Sequence, residues 1–348
     1  MTVDRVSDGK VPDDKVAGDK VAGDKVAGDK VPDGKVPDDK VSGDKVPEDK
    51  VPEDWLVLVK DLESYQRRFL IFALGENDTG KSTLCRYLAL ALCRQERRVA
   101  WIDSDLGQSI LGPPANVGMT ILSPPDGQKS PILLRFVGST SPVGHLLQTL
   151  VAVRALIDRA MRQKVDGVIL DTSGFVSGRI GLEFKFQKID MVNPTHLLAL
   201  ERGRELESLL KNFSFRRSLS LRRFPVSEVI QPKSIEQRWE YRQEQFHQYF
   251  HEAKVTDFAF GGMGIHGHLP DFQNPRTWQG LLIGFCDEMN DCLALGIIQN
   301  VDLKRKQFFC LTPLQQKHRV RSIQFGSLHM DQNGREVYVK REAVKDKD

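Results

Sequence analysis

Residues 67–83 read RRFLIFALGENDTGKST. The run from Phe69 to Leu74 is apolar throughout, as suits a strand covered on both faces, and it feeds directly into Gly75, Gly80, Lys81 and Ser82. Those four satisfy GxxxxGK[ST], the loop in which backbone N–H groups, a lysine and a hydroxyl meet a nucleotide polyphosphate and its Mg²⁺. KSTLCRYLALALCRQ follows as a helix whose N-terminus points at the phosphates. The expected nucleotide-binding residues are therefore Gly75, Asn77, Asp78, Thr79, Gly80, Lys81, Ser82 and Thr83. Lys81 would lie against the β- and γ-phosphates, Ser82 would ligate Mg²⁺, and Thr83 would support the loop.

Outward from this loop the chain alternates. RRVAWIDSD (97–105) reads as the next strand, PILLRFVGS (131–139) as another, and GHLLQTLVAVRALIDRAMRQK (144–164) as a long amphipathic helix. DGVILDTSG (166–174) and THLLALE (195–201) complete a strand, helix, strand alternation. That order predicts a parallel sheet with helices on both faces. Residues 201–252 are basic and read as helical, and the apolar runs within 280–302, 306–314 and 320–330 read as short strands of a β-rich end.

The 348 residues suffice for a sizeable core, with 40% hydrophobic and 28% charged side chains. Residues 1–54 differ from the rest: Val recurs at every fifth position from 6 to 51, with Lys, Asp, Gly and Pro between. A period of five lines neither a helix face nor a strand face, and one apolar residue in five cannot offset ordering entropy, so a disordered tail is expected. That segment carries 10 Lys+Arg against 15 Asp+Glu, leaving 40 against 32 for residues 55–348. The five cysteines, 85, 93, 286, 292 and 310, form no CxxC pair, which points to a reducing compartment. No run reaches membrane-span length and the first residues lack a secretory pattern. The expectation is a soluble protein without a membrane partner, cytoplasmic or nuclear.

The chemistry must come from what surrounds the phosphate loop. Asp103 and Asp105 in DSDLGQS fall where the second strand should end beside it, where carboxylates hold a Mg²⁺ shell or accept a proton from an attacking hydroxyl. Asp171 in VILDTSGF is a rival metal-associated acid of the kind switch NTPases use, and FQKIDMV (186–192) is close to a guanine-reading [NT]KxD motif, with Gln187 in place of Asn or Thr. A GTPase or metal-delivery NTPase is thus one alternative. Between Lys211 and Arg242 eight Lys+Arg face three acids, and Arg238 and Arg242, four apart on a helix, could close over a transferring phosphoryl. Arg216, Arg217, Arg222 and Arg223 could instead track a nucleic-acid backbone, leaving a catalytically silent scaffold as a second alternative. His266 and His268 have no third ligand nearby and read as an ordinary Gly-rich turn.

Taken in order, GENDTGKST, DSDLGQS, GPP, FVGSTSP, DTSGF, NPTHLLAL and the Arg238–Arg242 pair resemble the polynucleotide 5′-hydroxyl kinase family, over about residues 55–330. The resemblance implies an α/β P-loop NTPase fold with a parallel sheet flanked by helices, a helical lid insertion and a small β-rich C-terminal module. Its parts would be a P-loop kinase domain at 55–254, with a clasp at about 172–190 and a basic lid at about 211–252, followed by the β-rich module at 255–348. It implies transfer of the γ-phosphoryl of ATP, with Mg²⁺, to the 5′-hydroxyl of RNA or DNA. Carried across, Lys81, Asp105, Arg238 and Arg242 are catalytic, Ser82 and Asp103 hold the metal, and Gln108, Thr172 and Phe175 bind the acceptor. Family members with characterised RNA activity commonly carry Trp after the clasp glycine, where this chain has Phe175, and larger members carry a folded N-terminal β-domain.

Overall fold

The computed structural model of the chain describes residues 51–331 and 333–337. The pentad repeat, up to residue 50, lies outside the described residues, and the first helix begins at Glu53, two residues before the expected boundary. In chain order the first half comprises α1 (Glu53–Ser64), β1 (Phe69–Gly75), α2 (Lys81–Arg94), β2 (Val99–Ser104), β3 (Asn116–Ser123), β4 (Gln128–Lys129), β5 (Leu133–Phe136) and α3 (Leu146–Arg162). It continues with β6 (Gly167–Thr172), α4 (Gly178–Val192), β7 (His196–Glu201), α5 (Glu207–Leu210), β8 (Ser220–Pro225) and α6 (Ile235–Phe250). The remainder is β9 (Lys254–Ala259), β10 (Gly264–Gly267), β11 (Leu281–Cys286), β12 (Cys292–Asp302), β13 (Gln307–Thr312), β14 (Ser322–Met330) and β15 (Glu336–Val337).

The first sheet has the order β4-β3-β2-β6-β1-β7-β8, with β5 paired to β3. β2, β6, β1, β7 and β8 are mutually parallel, and β3 runs antiparallel to β2. The expected parallel sheet is therefore mixed. β1 is central and buried along its whole length, and alternate residues serve opposite faces. Phe69, Ile71 and Ala73 join the core under α1 and α2, while Leu70, Phe72 and Leu74 join the one under α3, α4 and α5. Helices thus cover both faces, as strand–helix alternation requires. The C-terminal ends of β1, β2 and β6 converge on one edge, where doubly wound sheets bind their ligands.

β3, β4, β8, β9, β10 and β15 escape the sequence reading, β10 where a Gly-rich turn was expected around His266. β3 is an apolar run that follows a Gly-Pro-Pro turn, and β8 (SLRRFP) is an edge strand with one buried residue, Phe224, so its basic side chains mask its period. Residues 201–252 are consequently not one helical stretch but a short helix, a strand and α6.

The second sheet has the order β10-β14-β11-β12-β13-β9, with β15 on β14. Phe246 and Phe250 of α6 pack into one core with Phe136 of β5 and Leu282, Leu295 and Ile297 of this sheet. Arg135 of β5 donates to Met289 O at 2.6 Å and pairs with Asp291 at 3.4 Å. The C-terminal half of α6 is thereby fixed, and its N-terminal half is carried over the edge where β1, β2 and β6 end.

Candidate active site

The phosphate loop occupies the gap between the end of β1 at Gly75 and the start of α2 at Lys81. Asp78 (φ 54°) and Gly80 (φ 87°) take left-handed backbone there, a conformation that is free for glycine and uncommon for aspartate. Thr79 donates its hydroxyl to Glu76 O at 3.0 Å, and Lys81 Nζ donates to Glu76 O and to Thr79 Oγ1 at 3.3 Å. Lys81 is buried, which lowers its pKa, against the opposing pull of Asp171 and Asp105. Ser82 and Thr83 are half-buried on the first turn of α2. Its N-terminal amides face the loop, the arrangement that binds anions at helix starts.

Asp103 and Asp171 are paired in register across β2 and β6 and are both 1% exposed. The chain after Asp103 folds back on it: Oδ1 accepts from Asp105 N (3.0 Å), and Oδ2 accepts from Ser109 Oγ (3.1 Å), Ile110 N (2.6 Å) and Leu111 N (3.2 Å). Asp103 was expected on the metal; its oxygens are instead spent on shaping the loop that presents Asp105. Neither oxygen of Asp171 has a hydrogen-bond partner of standard geometry among the described residues, although Ser82 lies near enough to lower its pKa. Burial pushes both carboxyl pKa values up, with repulsion from Asp171 adding for Asp103 and from Asp105 for Asp171. A buried carboxylate beside Ser82 and Lys81, with neither oxygen in a standard hydrogen bond, fits a hard divalent cation, and Ser82 with Asp171 could hold one. Asp105 is half-buried, and its Oδ1 accepts from Gly107 N (3.0 Å) and Gln108 N (2.9 Å), which fixes the carboxylate direction.

The stretch from Thr172 to Ser177 lies against the phosphate loop. A Cβ on Gly174 would stand 2.2 Å from Asn77 N, so only glycine permits this approach. Thr172, expected to touch the acceptor, has its hydroxyl occupied internally: it donates to Ala73 O at 2.7 Å and accepts from Lys185 Nζ at 2.9 Å. Phe175 is half-buried, its ring 6.2 Å from that of Phe184. α4 also contributes Lys188, whose Nζ donates to Ser104 Oγ at 2.7 Å. Lys185 was not singled out in the sequence, and Lys188 only as the lysine of the near guanine-reading pattern. Their spacing among Phe184, Ile189 and Val192 in FKFQKIDMV is the one signal that they point inward.

From above, α6 starts with a capping box between Ser234 and Gln237, followed at once by Arg238. The Arg238 guanidinium pairs with Asp78 Oδ2, Lys233 N donates to the same oxygen at 3.0 Å, and Arg202 donates to Asp78 O at 2.7 Å. Burial acts to raise the Asp78 pKa, but the Arg238 and Lys233 bonds prevail and hold it below the ordinary carboxylate value. Gln108, expected to organise the acceptor pocket, donates to Arg238 O at 3.1 Å, and Tyr241 donates to Ser109 O at 3.0 Å. Arg242 lays its aliphatic stem near Gly107 and has a buried Nε without a partner among the described residues. The two arginines thus stand over different loops, Arg238 over the phosphate loop and Arg242 over the acidic one.

Two motif readings lose their structural basis, the guanine-reading FQKIDMV and the backbone track at Arg222 and Arg223. FQKIDMV lies inside α4: Gln187 bonds Glu183, Lys188 is buried, and Asp190 pairs with Arg216, so none forms a base-reading loop. Arg222 pairs with Asp61, and Arg223 with Glu201 and Glu207, so these arginines are neutralised within the fold rather than held out toward a partner.

Fold and site together define a P-loop NTPase whose acidic loop and arginine lid face the phosphate loop. Residues 75–252 match the family model for the P-loop region of the mRNA cleavage and polyadenylation factor CLP1, and the chain belongs to that family. Among its relatives, proteins named polyribonucleotide 5′-hydroxyl-kinase from Methanocaldococcus jannaschii and Pyrococcus abyssi are 27% and 29% identical to it. The first alignment covers 79% of this chain and 91% of the relative, the second 81% and 93%. A solved Clp1p bound to a Pcf11p fragment is similar in fold, with TM-score 0.61 over 79% of this chain and 77% of that one, at 14% identity.

Proposed function

We propose that the chain is an ATP-dependent polynucleotide 5′-hydroxyl kinase, with an RNA end as acceptor. The observation that carries the reading is Asp105: a carboxylate aimed by two loop amides, beside Lys81 and Asp171 and beneath an arginine lid. That is the arrangement phosphoryl transfer to a hydroxyl requires, since the protein's task is positioning and charge stabilisation. The names of the archaeal relatives, which cover over nine-tenths of their length, agree with it.

The phosphate loop and Lys81 hold the polyphosphate of ATP, with Lys81 leaving Glu76 O for the β- and γ-phosphates. Asp105 accepts the proton of the 5′-hydroxyl as its oxygen bonds to the γ-phosphorus; the bond to the bridging oxygen breaks and ADP departs. Arg238 and Arg242 neutralise charge on the transferring group. Ser82 and Asp171 would hold Mg²⁺, which would supply charge neutralisation for the polyphosphate. Phe175 stacks the terminal base, since stacking tolerates the ring type.

The test is transfer of labelled γ-phosphate from ATP, and separately GTP, to matched RNA and DNA oligonucleotides with 5′-hydroxyl ends. Wild type should label RNA from ATP, and Asp105→Asn should lose about 10²- to 10⁴-fold, the usual worth of general base catalysis. Lys81→Ala should also fail. Hydrolysis of GTP alone, with no labelled oligonucleotide, would sink the kinase reading.

A further inference from the structure

Lys185 and Lys188 are three residues apart on α4, hence on one helix face, and both have no solvent exposure at all. Burying an ammonium costs several kcal/mol unless geometry compensates it. The transfer chemistry above uses neither lysine, yet both point toward its site: Lys81 from α2, Asp103 and Asp105 from the acidic loop, and Asp171 from β6 act on one or both of them. Burial lowers both pKa values, that of Lys188 to about 7.

Their hydrogen bonds go to two different loops. Lys185 donates to Thr172 Oγ1 (2.9 Å) and Ser173 O (2.6 Å), where the chain enters the clasp. Lys188 donates to Ser104 Oγ (2.7 Å), between Asp103 and Asp105. The two loops are also tied to the sheet, because Ser104 donates to Asp171 O and Thr172 donates to Ala73 O, both at 2.7 Å. One rigid helix, lying largely within the expected clasp segment, therefore holds the strand ends that carry the acceptor grip and the acidic loop.

We propose that Lys185 and Lys188 are positioning residues that lock the clasp to the acidic loop, so that an acceptor held at Phe175 presents its 5′-hydroxyl to Asp105 at reacting distance. This rests on the kinase reading. It differs from a packing role in a measurable way. Replacing a buried charge by an apolar side chain of similar volume is often neutral or stabilising, whereas displacing a reacting group by about 1 Å costs about 10²-fold.

The experiment compares Lys185→Met, Lys188→Met, Ser104→Ala and Thr172→Val with wild type. The serine and threonine changes remove a partner and leave the lysine in place, so they carry the same test if a Met variant fails to fold. Melting temperature, affinity for a fluorescent ATP analogue, and kcat and KM for an RNA 5′-end at saturating ATP are measured for each. The expected result is an unchanged or raised melting temperature for the Met variants, nucleotide affinity within about twofold, and acceptor kcat/KM lowered about 30- to 100-fold. Ser104→Ala should add nothing in the Lys188→Met background. Folded Met variants that retain acceptor kcat/KM within about threefold would overturn the proposal, as would losses that track nucleotide affinity or melting temperature. A wild type that labels no acceptor would instead remove the kinase reading itself, and this inference with it.

Discussion

Asp103 and Asp171 are the same residue, in register on adjacent parallel strands, equally buried at the same edge of the sheet, and they do different things. The chain after Asp103 turns back and delivers three amides and a hydroxyl to its carboxylate. The chain after Asp171 leaves for the clasp, and its carboxylate is left with Ser82 and Lys81 for company. Strand position therefore does not fix an acid's role. What the following loop gives back decides whether the acid is structural or available.

The comparison is broken most directly by removing each charge. Asp171→Asn should lower phosphoryl transfer by about 10³-fold, because it removes the carboxylate that faces Ser82 and the buried Lys81. In the same variant Mg²⁺ should no longer raise the melting temperature in the presence of a nucleotide. The sign in pH follows from the raised carboxyl pKa. An acid that binds its proton more tightly when folded weakens the fold as pH rises from the ordinary carboxylate range toward neutrality. Wild type should lose stability across that window relative to Asp171→Asn, as read by urea unfolding at several pH values. Asp103→Asn acts on the fold instead: it leaves donors of the acidic loop unmatched and costs about 2–4 kcal/mol of folding stability. If Asp103→Asn abolished the Mg²⁺ effect and Asp171→Asn preserved it, the assignment would be inverted.

A third carboxylate sharpens the contrast, because its partners come from a distant segment rather than from its own loop. Asp78 is satisfied by Arg238 and by the Lys233 amide, about 160 residues away in the chain. A carboxylate in a phosphate loop opposes a polyphosphate unless a cation accompanies it, so its value lies in aiming Arg238. Asp78→Asn should lower kcat about tenfold, the size of one charge-assisted hydrogen bond, with little change in acceptor KM. In an Arg238→Ala background the same change should have no further effect, since residues that act through one another are not additive. Full additivity in single-turnover rates would sever Asp78 from Arg238.

The same logic explains how much the sequence reveals. The central strand, the phosphate loop and α2 were legible because an apolar run, a glycine pattern and a helical period follow one another without a break between Phe69 and Gln95. The α/β class followed from the alternation. β8 was hidden because an edge strand with one buried residue shows no period, and β3 because a strand can be recognised from its composition without revealing that it runs antiparallel. Lys185 and Lys188 read as solvent-facing by residue type, and only the helix phase hints otherwise. Whether Asp103 or Asp171 is free depends on where Asp105, Ser109, Ile110 and Leu111 place their donors, which no local pattern states. Place at a strand end marked Asp103 and Asp105 alike, and only the family resemblance set Asp105 apart as the base.

The smallest effect concerns cations that are already matched. Arg222 and Arg223 belong to the basic stretch that suggested a nucleic-acid track, but each faces a carboxylate of its own, Asp61 for the first and Glu201 and Glu207 for the second. These pairs are partly exposed, so each is worth about 0–1 kcal/mol, and an arginine neutralised in this way releases no counterion when RNA arrives. Arg222→Ala and Arg223→Ala should therefore leave the salt dependence of RNA binding unchanged while unfolding shifts slightly. A phosphate contact would show as a fall of about 0.7 in the slope of log affinity against log salt for a single strand. Such a fall at Arg222 would mean that its bond to Asp61 opens when the acceptor binds. The basic edge would then join Asp171 as a charge held ready rather than one already spent.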